Sequence, residues 1–202
     1  MIDWRGRRLA CSATLALCMA LAGCTEQAVR TDRSTSDVEV GARISKNSDV
    51  SVGRISPDRM SLALLEVKQK QHRGSRVWCV PFARTVSGID ISGNAKDWWG
   101  KAKGHYNRGV TPVPASVLSF KATRKNPNGH VAVVSKVINQ RQILISHANW
   151  NRNKVSIDMT AVDVSPKNDW SMVRVESMPG QLGSTYPVNG FIYPAGTKTA
   201  RN

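Results

Sequence analysis

The sequence predicts an α+β fold in which an antiparallel sheet packs on helices. Helical patterns lie between residues 56 and 103, and strand patterns follow between residues 115 and 176. Helices first and strands afterwards is the order typical of an α+β domain, whereas an α/β domain alternates the two. The 202 residues are enough for one such domain with its own hydrophobic core.

The first helix is predicted over residues 56–74. Ser56 suits the N-cap position, Pro57 suits the first helical position, and Gly74 suits the end of the helix. The apolar positions that should face the core are Met60, Leu62, Leu64, Leu65 and Val67.

A second helix is predicted from Cys79 to about Val86. Pro81 is tolerated only in the first turn of a helix, because a proline further along lacks the N–H and clashes with the preceding turn. This restriction places Cys79 at the helix N-terminus. A short helical segment, "NAKDWWGKAK", is predicted over residues 94–103.

Five runs rich in β-branched and aliphatic residues predict the strands. They cover residues 115–120, 130–138, 142–150, 154–159 and 171–176. The second and third runs flank Asn139–Gln140, which predicts a hairpin. A turn centred there puts Asn149 opposite His130 and makes His147 the diagonal neighbour of His130 on the same face of the sheet.

The N-terminal segment is typical of an exported lipoprotein. Residues 1–23 combine a basic start with an apolar run of about 14 residues, shorter than the ~20 that a membrane-spanning helix needs, and are predicted to be a signal peptide. The run ends in "LAGC", so Cys24 is the predicted lipidation site; the alternative is ordinary cleavage near Gly23, which leaves Cys24 as a thiol. Residues 24–55 are polar and Ser-rich, and predict a lipidated flexible tether. Thr25 after the cysteine suggests the periplasmic face of a Gram-negative outer membrane.

The charge of the chain indicates an anionic partner. It has 29 Lys and Arg against 14 Asp and Glu, a net charge of +15. The basic residues are dispersed rather than arranged as a stripe, so we expect no nucleic-acid partner. An exported lipoprotein would instead meet anionic cell wall or lipid.

Cys79 is the chemically interesting cysteine. The other three lie in the first 24 residues, so the domain offers Cys79 no disulfide partner. A helix N-terminus lowers the pKa of a thiol, and a nearby imidazole would serve as its base. His130 and His147 are the candidates on the predicted hairpin. The alternative readings are a buried core cysteine and a zinc site made with the two histidines, for which no paired-Cys or i,i+4 His spacing exists.

The segments "WCVPFARTVSGIDISGNAKDWW", "PVPASVLSF", "GHVAVV" and "ISHANW" together resemble the CHAP family, the cysteine, histidine-dependent amidohydrolases/peptidases. The resemblance runs from about Trp78 to Val175 and implies a papain-like fold over residues 56–202, with a core at 75–176 and a C-terminal extension. It implies that Cys79 is the nucleophile and His130 the general base. The family often has Glu at the third catalytic position; here His147 stands there, two residues before Asn149, and either would orient His130.

The resemblance implies a peptidoglycan hydrolase that cleaves amide bonds by a thiol mechanism, as an N-acetylmuramoyl-L-alanine amidase or an endopeptidase, without metal or cofactor. Two alternatives stay open. One is a wall-binding lipoprotein with an idle site, which the absence of Glu at position 147 suggests. The other is a thiol amidohydrolase that acts on a different exported amide.

Overall fold

The computed structural model describes residues 54–197, which form three helices, one 3₁₀ turn and seven strands. The helical elements are α1 (Pro57–His72), α2 (Cys79–Ser87), the 3₁₀ turn (Ala95–Asp97) and α3 (Trp98–Lys101). The strands are β1 (Arg108–Gly109), β2 (Val117–Phe120), β3 (His130–Asn139), β4 (Gln142–Ala148), β5 (Val155–Asp163), β6 (Met172–Met178) and β7 (Gln181–Ile192).

The first helix begins as predicted, but its buried face is narrower than predicted. Pro57 is its first residue, Ser56 takes the N-cap position, and the helix is over by Gly74, whose φ is +68°. Ala63 and Val67 are buried. Leu62 and Leu65, which the apolar pattern placed on the core face, are 50% and 52% exposed. The buried stripe therefore follows a spacing of about one helical turn, and not every leucine belongs to it.

The predicted central sheet with helices packed on it is wrong in one respect, because the sheet closes into an antiparallel barrel. The strand order is β1-β7-β2-β3-β4-β5-β6, and β6 also pairs with β7. The first half of β7 pairs with β6, and its second half pairs with β2. The strand that closes the barrel is thus the segment that the sequence presented as a C-terminal extension.

The two faces of the barrel wall pack into two separate cores. The inward residues of β2, β3, β4, β5, β6 and β7 form one cluster, which includes Leu118, Ala132, Ile145 and Phe191. The outward residues Val117, Val131 and Val133 pack instead with α1, α2 and α3 in the second cluster. Inward and outward residues alternate along each strand, as the pleat of a barrel wall requires.

The β3–β4 hairpin has the predicted register where it matters for the site. Val133 lies opposite Ser146 and Val134 opposite Ile145. The turn itself is one residue further along than predicted, since Asn139 pairs with Gln142. Two irregularities between the turn and Val134 absorb the difference.

The predicted signal peptide, the lipidation site Cys24 and tether residues 25–53 lie outside the described residues. Within residues 54–197, no helix has both the length and the apolar composition needed to cross a membrane.

Candidate active site

Cys79 is the first residue of α2, as Pro81 in the first turn predicted. Trp78 holds the N-cap position in an extended conformation, and Gly88 ends the helix with a φ of +75°. The thiol is half-buried and packs against the cluster between the helices and the barrel. Its polar neighbours are the backbone N–H groups of Val131, Val80 and Cys79 itself. Cys79 therefore abuts the start of β3, one residue along from His130.

Burial raises the pKa of the Cys79 thiol above its ordinary value, although the N–H groups of Val131, Cys79 and Val80 lower it in part. The position of Cys79 at a helix N-terminus predicts a net decrease of its pKa. The N–H groups act in the expected direction, but desolvation of the charged thiolate is the larger effect. The thiol of the free protein is consequently protonated at neutral pH.

His130 and His147 form a directly hydrogen-bonded pair. His130 Nε2 lies 2.9 Å from His147 Nδ1, and the two rings meet edge to face with centroids 5.0 Å apart. His130 opens β3 and His147 is the sixth residue of β4. Their positions continue the inward rows of Ala132 and Ile145, so both imidazoles lie at one end of the barrel interior. The side chains are 5% and 1% exposed, which makes this a pair removed from water.

Both histidines are held neutral. Burial lowers the pKa of His147 to about 3. Burial also lowers the pKa of His130 well below its ordinary value, and repulsion by His147 lowers it further. Protonating both of two adjacent imidazoles in a medium of low dielectric would cost a large free energy, because the two positive charges repel each other and are poorly solvated. The resting pair therefore shares its hydrogen bond as two neutral rings.

Three aromatic side chains from separate strands and loops enclose this pair; we call them the aromatic cap, and they are Phe120, Trp150 and Tyr186. Phe120 contacts His130 edge to face at 5.7 Å, and the Trp150 ring lies tilted by 30° over His147 at 5.3 Å. Tyr186 packs on Trp150 at 4.8 Å. This apolar enclosure is what desolvates the imidazoles.

Asn149, the other candidate for the third catalytic position, lies at the turn after β4. Its backbone has a φ of +62°, and its side-chain Oδ1 accepts the backbone N–H of Asn153 at 2.9 Å. Asn153 in turn accepts the N–H of Val77 at 2.8 Å through its side chain. The structure thus brings the ring of His147, and not the side-chain oxygen of Asn149, into hydrogen-bond contact with His130.

Sequence reasoning missed Met159, the other polar neighbour of His147. Met159 Sδ lies 3.3 Å from His147 Nε2, on the side of the ring away from His130. Met159 lies opposite Ile145 in β5, and a bulge after that pair puts Ser156, and not Ile157, opposite His147. Asp158, within the bulge, has a φ of +53°. Nothing in the sequence marks this bulge, since Asp158 stands where a glycine would have signalled it.

The surface beside the thiol is aromatic and cationic. Trp78, immediately before Cys79, is 48% exposed. The guanidinium of Arg76 lies 4.4 Å from the centre of the Trp78 ring, a cation–π arrangement.

Comparison with known proteins places the same residues in one recognised segment. No curated protein matches the chain. Residues 70–149, fewer than half of the 202, match the family model of the CHAP domain. The matched segment contains Cys79, His130, His147 and Asn149. A CHAP domain indicates a hydrolase of the amidase or peptidase kind, with peptidoglycan as the indicated substrate. The candidate site at the end of the barrel therefore lies within the segment that matches the CHAP model.

Proposed function

We propose that the protein is a peptidoglycan hydrolase that cleaves amide bonds with Cys79 as nucleophile and His130 as general base. The observation that supports this most directly is the buried His130–His147 pair, joined at 2.9 Å, at the start of the strand that abuts the thiol. Hydrogen bonding between two neutral imidazoles orients a base without adding charge. A purely structural role would not need a hydrogen-bonded pair of desolvated imidazoles, one of which directly precedes the residue whose N–H contacts the thiol.

The proposed reaction has two halves. The Cys79 S–H gives its proton to His130 as sulfur attacks the amide carbonyl carbon, and backbone N–H groups at the start of α2 hold the negative charge on the carbonyl oxygen. The His130 imidazolium then gives that proton to the leaving amine, and the C–N bond breaks to leave a thioester. Water then attacks the thioester carbonyl carbon as it gives a proton to His130. The C–S bond breaks, the sulfur takes that proton back from His130, and the acid product leaves and ionises to its carboxylate in solvent.

Proton transfer in this scheme accompanies attack and does not precede it. Burial raises the pKa of Cys79 and lowers that of His130, so a thiolate–imidazolium pair is disfavoured in the free protein. The general-base route avoids a standing ion pair in a desolvated site. His147 then serves to hold the ring of His130 in place.

The substrate side of the proposal rests on the CHAP match and on the surface around the thiol. Trp78 and Arg76 offer a stacking face and a positive charge next to Cys79, which suits a polymer of sugar rings with carboxylate-bearing peptides. The chain's net charge of +15 suits the same anionic polymer. Whether the cleaved bond joins sugar to peptide or peptide to peptide decides between amidase and endopeptidase.

Replacement of Cys79 by Ala tests the nucleophile. We expect hydrolysis of purified peptidoglycan to fall by at least about a thousandfold, while the thermal transition stays nearly unchanged because only one sulfur is removed. Mass spectrometry of the soluble products of the wild-type digest names the bond. A Cys79→Ala protein that still releases peptides would exclude the thiol mechanism. Release of no product by the wild type would favour a wall-binding protein with an idle site.

We further propose that the protein is exported and held in the cell envelope, at the periplasmic face of the outer membrane, by lipid on Cys24. The support is the "LAGC" sequence after an apolar run. A chain of about 30 residues between Cys24 and α1 would allow the domain to reach the wall, with a root-mean-square span of roughly 30 Å if it is flexible.

Replacement of Cys24 by Ser tests the anchor. We expect the variant to move from the membrane fraction to the soluble periplasmic fraction and to keep its activity on isolated peptidoglycan, because Cys24 lies outside the CHAP segment. Washing the membranes with salt is the control, since it removes protein that is held by charge alone. A Cys24→Ser protein that still fractionates with membranes after the wash would contradict lipid anchoring.

A further inference from the structure

We propose that Met159 is a positioning residue: its thioether fixes which nitrogens of His147 and His130 carry protons, and so leaves Nδ1 of His130 free to accept the proton of the nucleophile. The inference rests on the proposed function for its catalytic consequence. Its structural basis is the contact of 3.3 Å between Met159 Sδ and His147 Nε2, together with the 2.9 Å contact between the two rings.

A thioether has lone pairs and no proton, so it can only accept a hydrogen bond. If His147 Nε2 were bare, its lone pair would face the lone pairs of sulfur at 3.3 Å inside a buried site. The proton of neutral His147 therefore lies on Nε2, where it is donated to Met159 Sδ. The thioether is a weak acceptor, but it is the polar contact on that side of the ring.

The consequence passes to His130 through its hydrogen bond. With its one proton on Nε2, His147 presents a bare Nδ1. His130 Nε2, 2.9 Å away, must then carry the proton and donate it. A neutral imidazole has one N–H, so Nδ1 of His130 is bare. Nδ1 is the nitrogen that remains to receive the thiol proton, because Nε2 is already engaged. Met159 thus determines the proton positions along the chain Met159–His147–His130.

The fold holds Met159 in this position by unusual means. Met159 lies opposite Ile145 in β5, directly after a bulge whose residue Asp158 has a φ of +53°. The bulge sets two β5 residues, Ile157 and Asp158, against Ser146 alone, and the Asp158 N–H is bonded to Ser146 Oγ at 3.2 Å. Without the bulge, the pairing at Ile145 would carry on to put Ile157 opposite His147. Bulges near active sites commonly re-aim side chains in this way.

The experiment reads the tautomers directly and the activity separately. The protein is labelled with ¹⁵N-histidine, and long-range ¹H–¹⁵N spectra distinguish the protonated nitrogen of each ring from the bare one. Four histidines are present, and His72→Gln and His105→Gln remove the signals of the two that lie outside the pair. In the wild type we expect a protonated Nε2 and a bare Nδ1 for both His130 and His147. A protonated Nδ1 on His147 would overturn the proposal without any variant.

The variants then isolate the sulfur. Met159→Leu removes the acceptor and keeps the apolar volume, so we expect His147 to populate the Nδ1-protonated form and kcat to fall about three- to tenfold with KM unchanged. Met159→Gln offers a carbonyl oxygen as acceptor and should restore both the tautomer and kcat. Met178→Leu makes the same chemical change at an exposed position and should alter neither.

The outcomes separate this proposal from the proposed function. Wild-type tautomers in Met159→Leu, or altered tautomers with full kcat, would overturn the role of Met159. A wild type that cleaves no amide bond would overturn the proposed function, while the spectra would still show whether Met159 fixes the two tautomers.

Discussion

At the scale of single residues, the site departs from a catalytic set that contains a carboxylate. A carboxylate beside an imidazole stabilises the imidazolium, whereas a neutral imidazole only fixes the orientation and tautomer of its neighbour. In this protein, His147 has a pKa of about 3 and also lowers the pKa of His130. His130, the proposed general base, is therefore a neutral imidazole at neutral pH, and its lowered pKa makes it a weaker base.

This difference makes a prediction for His147→Glu. A carboxylate at 147 would replace repulsion of the His130 imidazolium by attraction and so raise the pKa of His130. The acid limb of kcat/KM reports the protonation of the base in the free enzyme. We expect it below pH ~6.5 in the wild type, and at least about one pH unit higher in His147→Glu.

The matched control is His147→Gln, whose amide oxygen can accept the Nε2–H of His130 without introducing a charge. Its acid limb should stay at a lower pH than that of His147→Glu, because His130 remains buried and gains no negative neighbour. Circular dichroism at each pH confirms that the rates belong to folded protein. Acid limbs at one common pH in the wild type and in His147→Glu would mean that His130 is not the group whose protonation limits the rate.

At the scale of elements, the site depends on how β3 begins. Gly129 directly precedes His130 and has a φ of +65°, and a Cβ there would lie 3.0 Å from Lys96 N and 3.0 Å from Phe120 O. Both are backbone atoms that cannot swing away. The turn before β3 is held by backbone, since Lys96 donates its N–H to Asn128 O at 2.7 Å. The 3₁₀ turn, the end of β2 and the start of β3 thus meet at one glycine.

Gly129→Ala should therefore both destabilise the protein and displace His130, the proposed base. Gly180 supplies the control, because its φ is +74° but a Cβ there meets nothing within 4 Å. Gly180→Ala should cost about 1 kcal/mol from left-handed backbone alone. Gly129→Ala should lower the free energy of unfolding by about 1–3 kcal/mol more than Gly180→Ala does. It should also lower kcat/KM about tenfold or more, because a small displacement of a catalytic group greatly slows the reaction. Urea denaturation and initial rates measure the two effects. Equal losses of stability in both variants would show that the backbone contacts at Gly129 are not tight.

The same elements show what sequence patterns can and cannot reveal. The start of α2 at Cys79 followed from a proline rule, and the register of β3 against β4 near Val133 followed from a short hairpin. Both are local features. The contact of Met159 with His147 depends on a bulge in β5, and no local pattern marks it. In α1, leucines lie on more than one side of the helix, so the apolar pattern does not reveal which side faces the core.

At the scale of the whole molecule, the barrel closes through a strand that sequence patterns do not reveal. The sequence of β7, "QLGSTYPVNGFI", has Gly183, Pro187 and Gly190 within it and no clean alternation of apolar and polar residues. Proline or glycine inside an apolar run argues against a central strand and favours a loop or an edge strand. Here the strand bends: its first half pairs with β6 and its second half with β2. The pairing partners are distant in sequence, so closure is a property of the assembled sheet.

Closure also explains how two histidines are kept out of water, and it links the site to the stability of the whole fold. An unfolded chain protonates histidine near pH ~6.5, whereas the folded chain keeps His147 neutral down to about pH 3. Between these values the unfolded state binds more protons, so the free energy of unfolding falls as the pH falls. The stabilisation is complete above pH ~6.5 and is lost progressively towards pH 3. His130, whose pKa is also lowered, acts in the same direction.

We therefore expect acid to destabilise the protein well before its carboxylates titrate. From His147 alone, the loss between pH 8 and pH 5 should be about 2 kcal/mol, which is measurable as a lower urea midpoint at an unchanged slope. His147→Gln removes one titrating group and should flatten the dependence on pH, even if it lowers stability at pH 8. His105→Gln supplies the control for the loss of an imidazole at an exposed position. If the free energy of unfolding falls equally between pH 8 and pH 5 in the wild type and in His147→Gln, the folded protein does not hold His147 neutral. The description of His130 and His147 as a desolvated neutral pair would then be wrong.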